Sequence, residues 1–302
     1  LNWFYFLWQP ESQSTRIANT HLSYLKQITM KPFRDNRYLL PIGTALLFTI
    51  ACKHDPGVLP TTIKKWENIG LSAKNEIPAP AGKSEEGDLT LELLSDNSLK
   101  YEFHIHNLSP GDAITGAHVH FADAGNNGPV IIDLKPSVVS GGASGIVSNL
   151  RQGQIDTLVN RTVYFNVHST QAPGGIARGQ LDKKVEFAMD VALSGANEVP
   201  AVTTSASGVC ILRMTEDKVL FSKISVSNLD AGDTIRVAHI HKAAAGSNGP
   251  VRVTLAGNIG EFDIMKTTTL VDSVYNMIKT EPMYVNAHSK LKGGGLVRGQ
   301  IR

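Results

Sequence analysis

Three stretches of this chain occur twice. "LSAKNEIPA" at Leu71 returns as "LSGANEVPA" at Leu193, and "AHVHFADAGNNGPV" at Ala117 returns as "AHIHKAAAGSNGPV" at Ala238. "VYFNVHSTQAPGGIARGQL" at Val163 returns as "MYVNAHSKLKGGGLVRGQI" at Met283. The offset drifts only from 122 to 120 residues, so few residues are inserted in either copy. A period this long duplicates a whole domain and is not a solenoid repeat. Each copy is of ordinary domain size and can bury its own core. The boundary falls near Lys183 to Val185, giving copy one residues 69–184 and copy two residues 185–302.

Within each copy, strand follows strand. "DLTLELL" and "YEFHIHNL" alternate apolar with polar, and "PVIIDL", "TVYFNVHS" and "IARGQL" follow. The turns "SPGD", "AGNNGP" and "APGG" punctuate them at short intervals. Short alternating strands at this spacing indicate an all-β fold, an antiparallel sandwich or barrel. Only "GQIDTLVN" and "LVDSVYNMIKT" read as helices, each just before a "YFNVH"-type strand. "GNNGP" and "GSNGP" are expected to supply residues tolerant of positive φ, and "PGG" and "GGG" a bulge or tight turn. Cys210 falls opposite Leu89 when the copies are superposed, in a strand whose alternate residues are apolar, so a core position is expected.

Met30 to Cys52, "MKPFRDNRYLLPIGTALLFTIAC", has the layout of a secretory signal: a basic start, an apolar stretch too short to span a bilayer, then small residues leading to a cysteine. Its ending resembles a bacterial lipoprotein signal, which makes Cys52 the expected lipidation site. Residues 1–29 then read as a mis-assigned upstream extension, and residues 53–68 as a tether containing Pro56, Gly57 and Pro60. Without the first 51 residues the chain carries 24 basic and 25 acidic side chains, so no basic excess argues for nucleic acid. With Cys52 acylated, Cys210 has no partner and no disulfide framework exists.

"NEIP/NEVP", "AHVH/AHIH" with "GNNGPV/GSNGPV", and "YFNVH/YVNAH" followed by "GG" and "RGQ" resemble the CHRD domain family, in two consecutive copies. The family takes its name from chordin, an animal extracellular antagonist of bone morphogenetic proteins, and many bacterial members are secreted proteins of unknown role. The resemblance implies a secreted β-rich module, an immunoglobulin-like or superoxide-dismutase-like sandwich. It does not imply chordin's activity, because fold and function separate easily. The cysteine-rich modules that accompany the domain in chordin are absent here.

Six histidines repeat: His118, His120 and His168 in copy one, and His239, His241 and His288 in copy two. Residues i and i+2 of a strand share a face, so His118 and His120 project together. Tyr164, Asn166 and His168 likewise share one face of their strand. If the two strands are neighbours, three imidazoles converge, a donor set suited to copper or zinc. The His-x-His strand is similar to that of copper/zinc superoxide dismutase, but a bridging histidine and a structural disulfide are missing, and no catalysis is carried over. The competing reading is a structural polar network. There Arg178 and Arg298 would pair bidentately with Glu76 and Glu198, locking the first strand to the last. His104 and His106 form a further His-x-His pair that becomes Ser225 and Ser227 in copy two. They read as a solvent-facing pair or as an accessory metal site of copy one. Ser169 and Ser289 follow the cluster histidines directly, and adjacent strand residues face opposite ways, which argues against a Ser–His dyad.

The sequence therefore favours a membrane-anchored, extracytoplasmic protein of two tandem domains that binds a protein or glycan partner rather than catalysing. It would be held to a bacterial membrane by its lipid. The alternative is a copper- or zinc-binding protein that uses the repeated histidines. A redox metalloenzyme is a third class, and it needs an open coordination position and a substrate pocket besides.

Overall fold

The computed structural model describes residues 59–302. The signal-like segment, Cys52 and residues 53–58 of the expected tether lie outside the described residues. Copy one forms strands β1 (Thr62–Ser72), β2 (Glu86–Leu94), β3 (Leu99–His106), β4 (Ile114–Phe121), β5 (Val130–Asp133), β6 (Gly142–Val147), β7 (Val163–Ser169) and β8 (Ala177–Gln180), with helix α1 (Gln152–Asn160) before β7. Copy two repeats the plan. It has β9 (Val185–Ser194), β10 (Ser207–Thr215), β11 (Val219–Ser227), β12 (Ile235–Lys242), β13 (Val251–Ala256), β14 (Lys266–Thr269), helix α2 (Asp272–Thr280), β15 (Met283–Ser289) and β16 (Val297–Gln300). Among the described residues no helix is long and apolar enough to cross a membrane.

The alternation read from the sequence is what the strands bury. On β3, Leu99, Tyr101, Phe103 and Ile105 point into the core while His104 and His106 face solvent. On β7, Phe165 and Val167 are fully buried in the core. Each copy is a single eight-stranded antiparallel sheet, in the order β5-β4-β7-β8-β1-β2-β3-β6 and its exact counterpart β13-β12-β15-β16-β9-β10-β11-β14. The sheet curls until its halves face one another. Phe103 on β3 meets Phe165 on β7 with ring centroids 5.5 Å apart, although three strands separate them in the sheet. The all-β antiparallel expectation holds, with the sandwich made by curling one sheet rather than by stacking two.

Three expectations need correction. The tether is shorter than expected, because β1 begins at Thr62 and buries Trp66 against the core. A register shift between Trp66 and Ile69, with Asn68 at φ 56°, breaks the period-2 pattern that would have revealed the strand. Positive φ is used in the copy-two turn, at Gly246 (φ 78°), but at no residue of the copy-one "GNNGP". Its constraint is close approach, since a Cβ on Gly128 would lie 1.9 Å from the Phe121 carbonyl oxygen. The equivalent Gly249 meets the Lys242 carbonyl in the same way. Arg178 and Arg298 hold loop carbonyls and asparagines instead of the expected Glu76 and Glu198. Cys210 is fully buried in the copy-two core, and burial pushes its thiol pKa well above the ordinary range, as for an inert apolar side chain.

Arg213 ties the copies together. Its side chain is fully buried, and it donates to the Asp190 carboxylate at 2.7 Å and to the carbonyl oxygen of Glu76 in copy one. Asp190 in turn accepts from the Ala79 backbone N–H at 2.9 Å.

Candidate metal centre

Strands β4 and β7 are neighbours. Their register sets His118 opposite Asn166, His120 opposite Tyr164 and Gly116 opposite His168. Because Ala117, Val119, Phe165 and Val167 fill the core, the histidines occupy the other face. That face is covered by the loop from Ala122 to Pro129 and by the "PGG" turn. Three imidazoles meet there, with one nitrogen from each of His118, His120 and His168 inside a 4.8 Å span. The same holds for His239, His241 and His288.

The hydrogen bonds fix which nitrogens face inward. His120 Nδ1 lies 2.9 Å from the Gly128 carbonyl oxygen, and His168 Nδ1 lies 2.9 Å from that of Pro173. A carbonyl only accepts, so each Nδ1 carries the proton and each Nε2 keeps a bare lone pair. Copy two repeats this, with His241 Nδ1 2.8 Å from Gly249 O and His288 Nδ1 3.0 Å from Gly293 O. His120 Nε2, His168 Nε2 and His118 Nδ1 are all buried without a hydrogen-bond partner, as are His241 Nε2, His288 Nε2 and His239 Nδ1. Burial lowers the pKa of His118, His120, His239 and His288, which keeps them neutral. A neutral imidazole whose far nitrogen donates to a carbonyl, as in His120, His168, His241 and His288, is in the state that binds metal. A bound ion would set ligand nitrogens ~3–4 Å apart, given metal–nitrogen bonds of ~2.0–2.1 Å. The span here is somewhat wider, so an ion would have to draw the rings inward.

Behind the cluster stands a second layer. The Tyr164 ring lies between His120, parallel at 4.8 Å, and the Arg178 guanidinium, 3.4 Å from its centroid. Tyr284 lies in the same way between His241 and Arg298. Arg178 donates to Asn127 Oδ1 at 3.0 Å and to the carbonyls of Asp123 and Asn126 at 2.7 and 3.0 Å. Arg298 donates likewise to Asn248, Ala244 and Ser247. The expected bidentate pairs with Glu76 and Glu198 are therefore not what the arginines form. Each clamps the loop whose glycine carbonyl holds the second histidine, because loop carbonyls satisfy its planar fork first. Glu76 and Glu198 sit under the glycine turn instead, where a Cβ on Gly175 or Gly295 would strike the carboxylate. Burial raises both to about 7, although the nearby Arg178 or Arg298 charge opposes the shift.

Sequence reasoning placed all six histidines and the face-sharing tyrosine. It missed Asp133, whose Oδ1 lies 3.6 Å from His118 Nε2, and the carbonyl acceptors of Gly128 and Pro173. The glycine of "NNGP" was the available signal for the first carbonyl. His104 and His106 do not join the cluster and stand on the solvent face of β3.

The family model for the CHRD domain matches residues 68–181 and again 189–301. Neither the curated proteins nor the solved structures contain a match to this chain.

Proposed function

The chain belongs to the CHRD domain family, and from that premise we propose that it is an extracytoplasmic binding protein whose ligand is a transition-metal ion, copper or zinc, held once per domain without catalysis. One observation carries this reading: in both domains three buried imidazole nitrogens converge with no hydrogen-bond partner. No protein donor reaches those lone pairs, and a buried polar atom without a partner is costly. A cation compensates all three. Three imidazoles favour borderline metals over hard ones, and copper(II) over zinc by intrinsic affinity. The secretion-like segment ending at Cys52 supports placement outside the cytoplasm, with a lipid tether to a bacterial membrane.

The test is metal stoichiometry of the purified protein against a His118→Ala/His239→Ala variant, with copper and zinc, after circular dichroism shows both folded. Loss of two metal equivalents per chain in the variant supports the reading. A folded wild type that binds neither metal overturns it, and a protein or glycan partner becomes the leading reading.

A further inference from the structure

His104 and His106 lie on the exposed face of β3, away from the three-histidine cluster. Their outer nitrogens are both committed. His106 Nε2 is 2.9 Å from Asp88 Oδ2 and His104 Nε2 is 3.2 Å from the Ser140 carbonyl oxygen. Both partners only accept, so in the neutral rings both Nε2 atoms carry the proton. The two Nδ1 atoms then face one another with bare lone pairs, 3.0 Å apart. Two lone pairs at that distance repel unless a cation lies between them. With metal–nitrogen bonds of ~2.0–2.1 Å, a 3.0 Å nitrogen separation closes an angle of roughly 90–95° at the ion. That is the cis angle of the square-planar or tetragonal geometry preferred by copper(II).

The surroundings hold this arrangement. Ser140 and Gly141, both at positive φ, form a tight turn closed by reciprocal Val139–Gly142 hydrogen bonds of 2.8 and 3.0 Å, and this turn presents the Ser140 carbonyl. Positive φ is uncommon for a serine. Gly142 makes room for the imidazole, since a Cβ there would lie 2.9 Å from His104 Cδ2 and 2.7 Å from the Phe103 carbonyl oxygen. A depression of about 330 Å³ lined by Asp88, Glu102, His104 and Ser144 opens beside His104. In copy two, Val209, Ser225 and Ser227 replace Asp88, His104 and His106, and the whole arrangement is gone.

We propose that His104 and His106 bind one divalent transition-metal ion, copper(II) by preference, through their facing Nδ1 atoms, with Asp88 orienting His106. This site belongs to copy one alone and stands independently of the three-histidine sites.

The test is copper(II) titration of the purified protein with equilibrium dialysis and electron paramagnetic resonance. Two backgrounds are used, wild type and His118→Ala/His239→Ala, each with and without His104→Ser/His106→Ser. Serine is the residue copy two carries, so the strand is expected to fold, and circular dichroism checks it. The expected result is the loss of one copper equivalent in both backgrounds, with hyperfine coupling to two nitrogens vanishing in the second. Asp88→Asn should weaken that equivalent by about 10–100-fold, the usual cost of losing an outer-shell partner. Unchanged copper stoichiometry on removing the pair overturns the proposal and leaves the two rings sharing a proton only. Failure of the three-histidine sites alone would appear instead as His118→Ala/His239→Ala leaving stoichiometry unchanged.

Discussion

Copy one and copy two share a strand order, a three-histidine cluster and a stack of histidine, tyrosine and arginine. Their differences lie around those shared parts. Asp133 stands beside His118, whereas the corresponding residue opposite His239 is Thr254. The β3 pair His104 and His106 is serine in copy two. Arg213, which reaches into copy one, takes the place of Glu92. What is repeated is the part in which side chains are held by backbone carbonyls across β4, β7 and the glycine loop. What varies sits on exposed strand faces or between the copies, where one substitution leaves the curled sheet intact. The comparison therefore separates a common binding frame from features specific to one copy.

The largest expected effect is at the junction. Arg213→Ala leaves Asp190 and the Glu76 carbonyl without their buried donor, a loss of about 3–5 kcal/mol. Calorimetry should then resolve two unfolding transitions where the wild type shows coupled ones. A single unshifted transition would mean the copies are stabilised independently of this contact.

Next in size is a pH effect common to both copies. Glu76 and Glu198 are raised by burial from 4.5 to about 7. The folded protein thus holds these protons to higher pH than the unfolded chain does. The neutral form is favoured at low pH, and stability falls as pH rises from about 4.5 through 7, by up to about 3 kcal/mol per group. Glu76→Gln and Glu198→Gln should each flatten part of the pH dependence of the urea midpoint between pH 5 and 8. The two shares should be similar, because both carboxyls rise to about 7. A flat wild-type profile over this range would show that burial does not raise them.

The smallest expected effect distinguishes the two three-histidine clusters. Asp133 is partly exposed, so Asp133→Asn should weaken copper binding in copy one by about tenfold, the low end for an outer-shell carboxylate. Thr254→Asp should strengthen copy two in the reciprocal sense. Titrations in the His104→Ser/His106→Ser protein, with His239→Ala or His118→Ala added, read each site alone. No difference in either would show that the clusters are equivalent despite the carboxylate.

The duplication, the all-β class, both short helices, the six repeated histidines and the buried Cys210 were legible in the chain itself. Each depends on local periodicity or on comparing one half of the chain with the other, and both are one-dimensional signals. β1 escaped because a bulge near Asn68 interrupts the alternation by which strands are recognised. Arg178 and Glu76 looked like partners because both repeat, yet repetition says only that each is needed. Which groups meet depends on the closure of β8 against β1 and on the path of the loop from Ala122 to Pro129. The tautomers of His120 and His168 were likewise beyond the sequence. Each is set by whether the far nitrogen faces a carbonyl oxygen, and those oxygens come from Gly128 and Pro173, eight and five residues further on. Sequence determined which imidazoles could share a face. Only the curled sheet and its glycine loops decided that they share a centre, with their lone pairs turned inward, because backbone carbonyls carry no side-chain signature and take their positions from the fold.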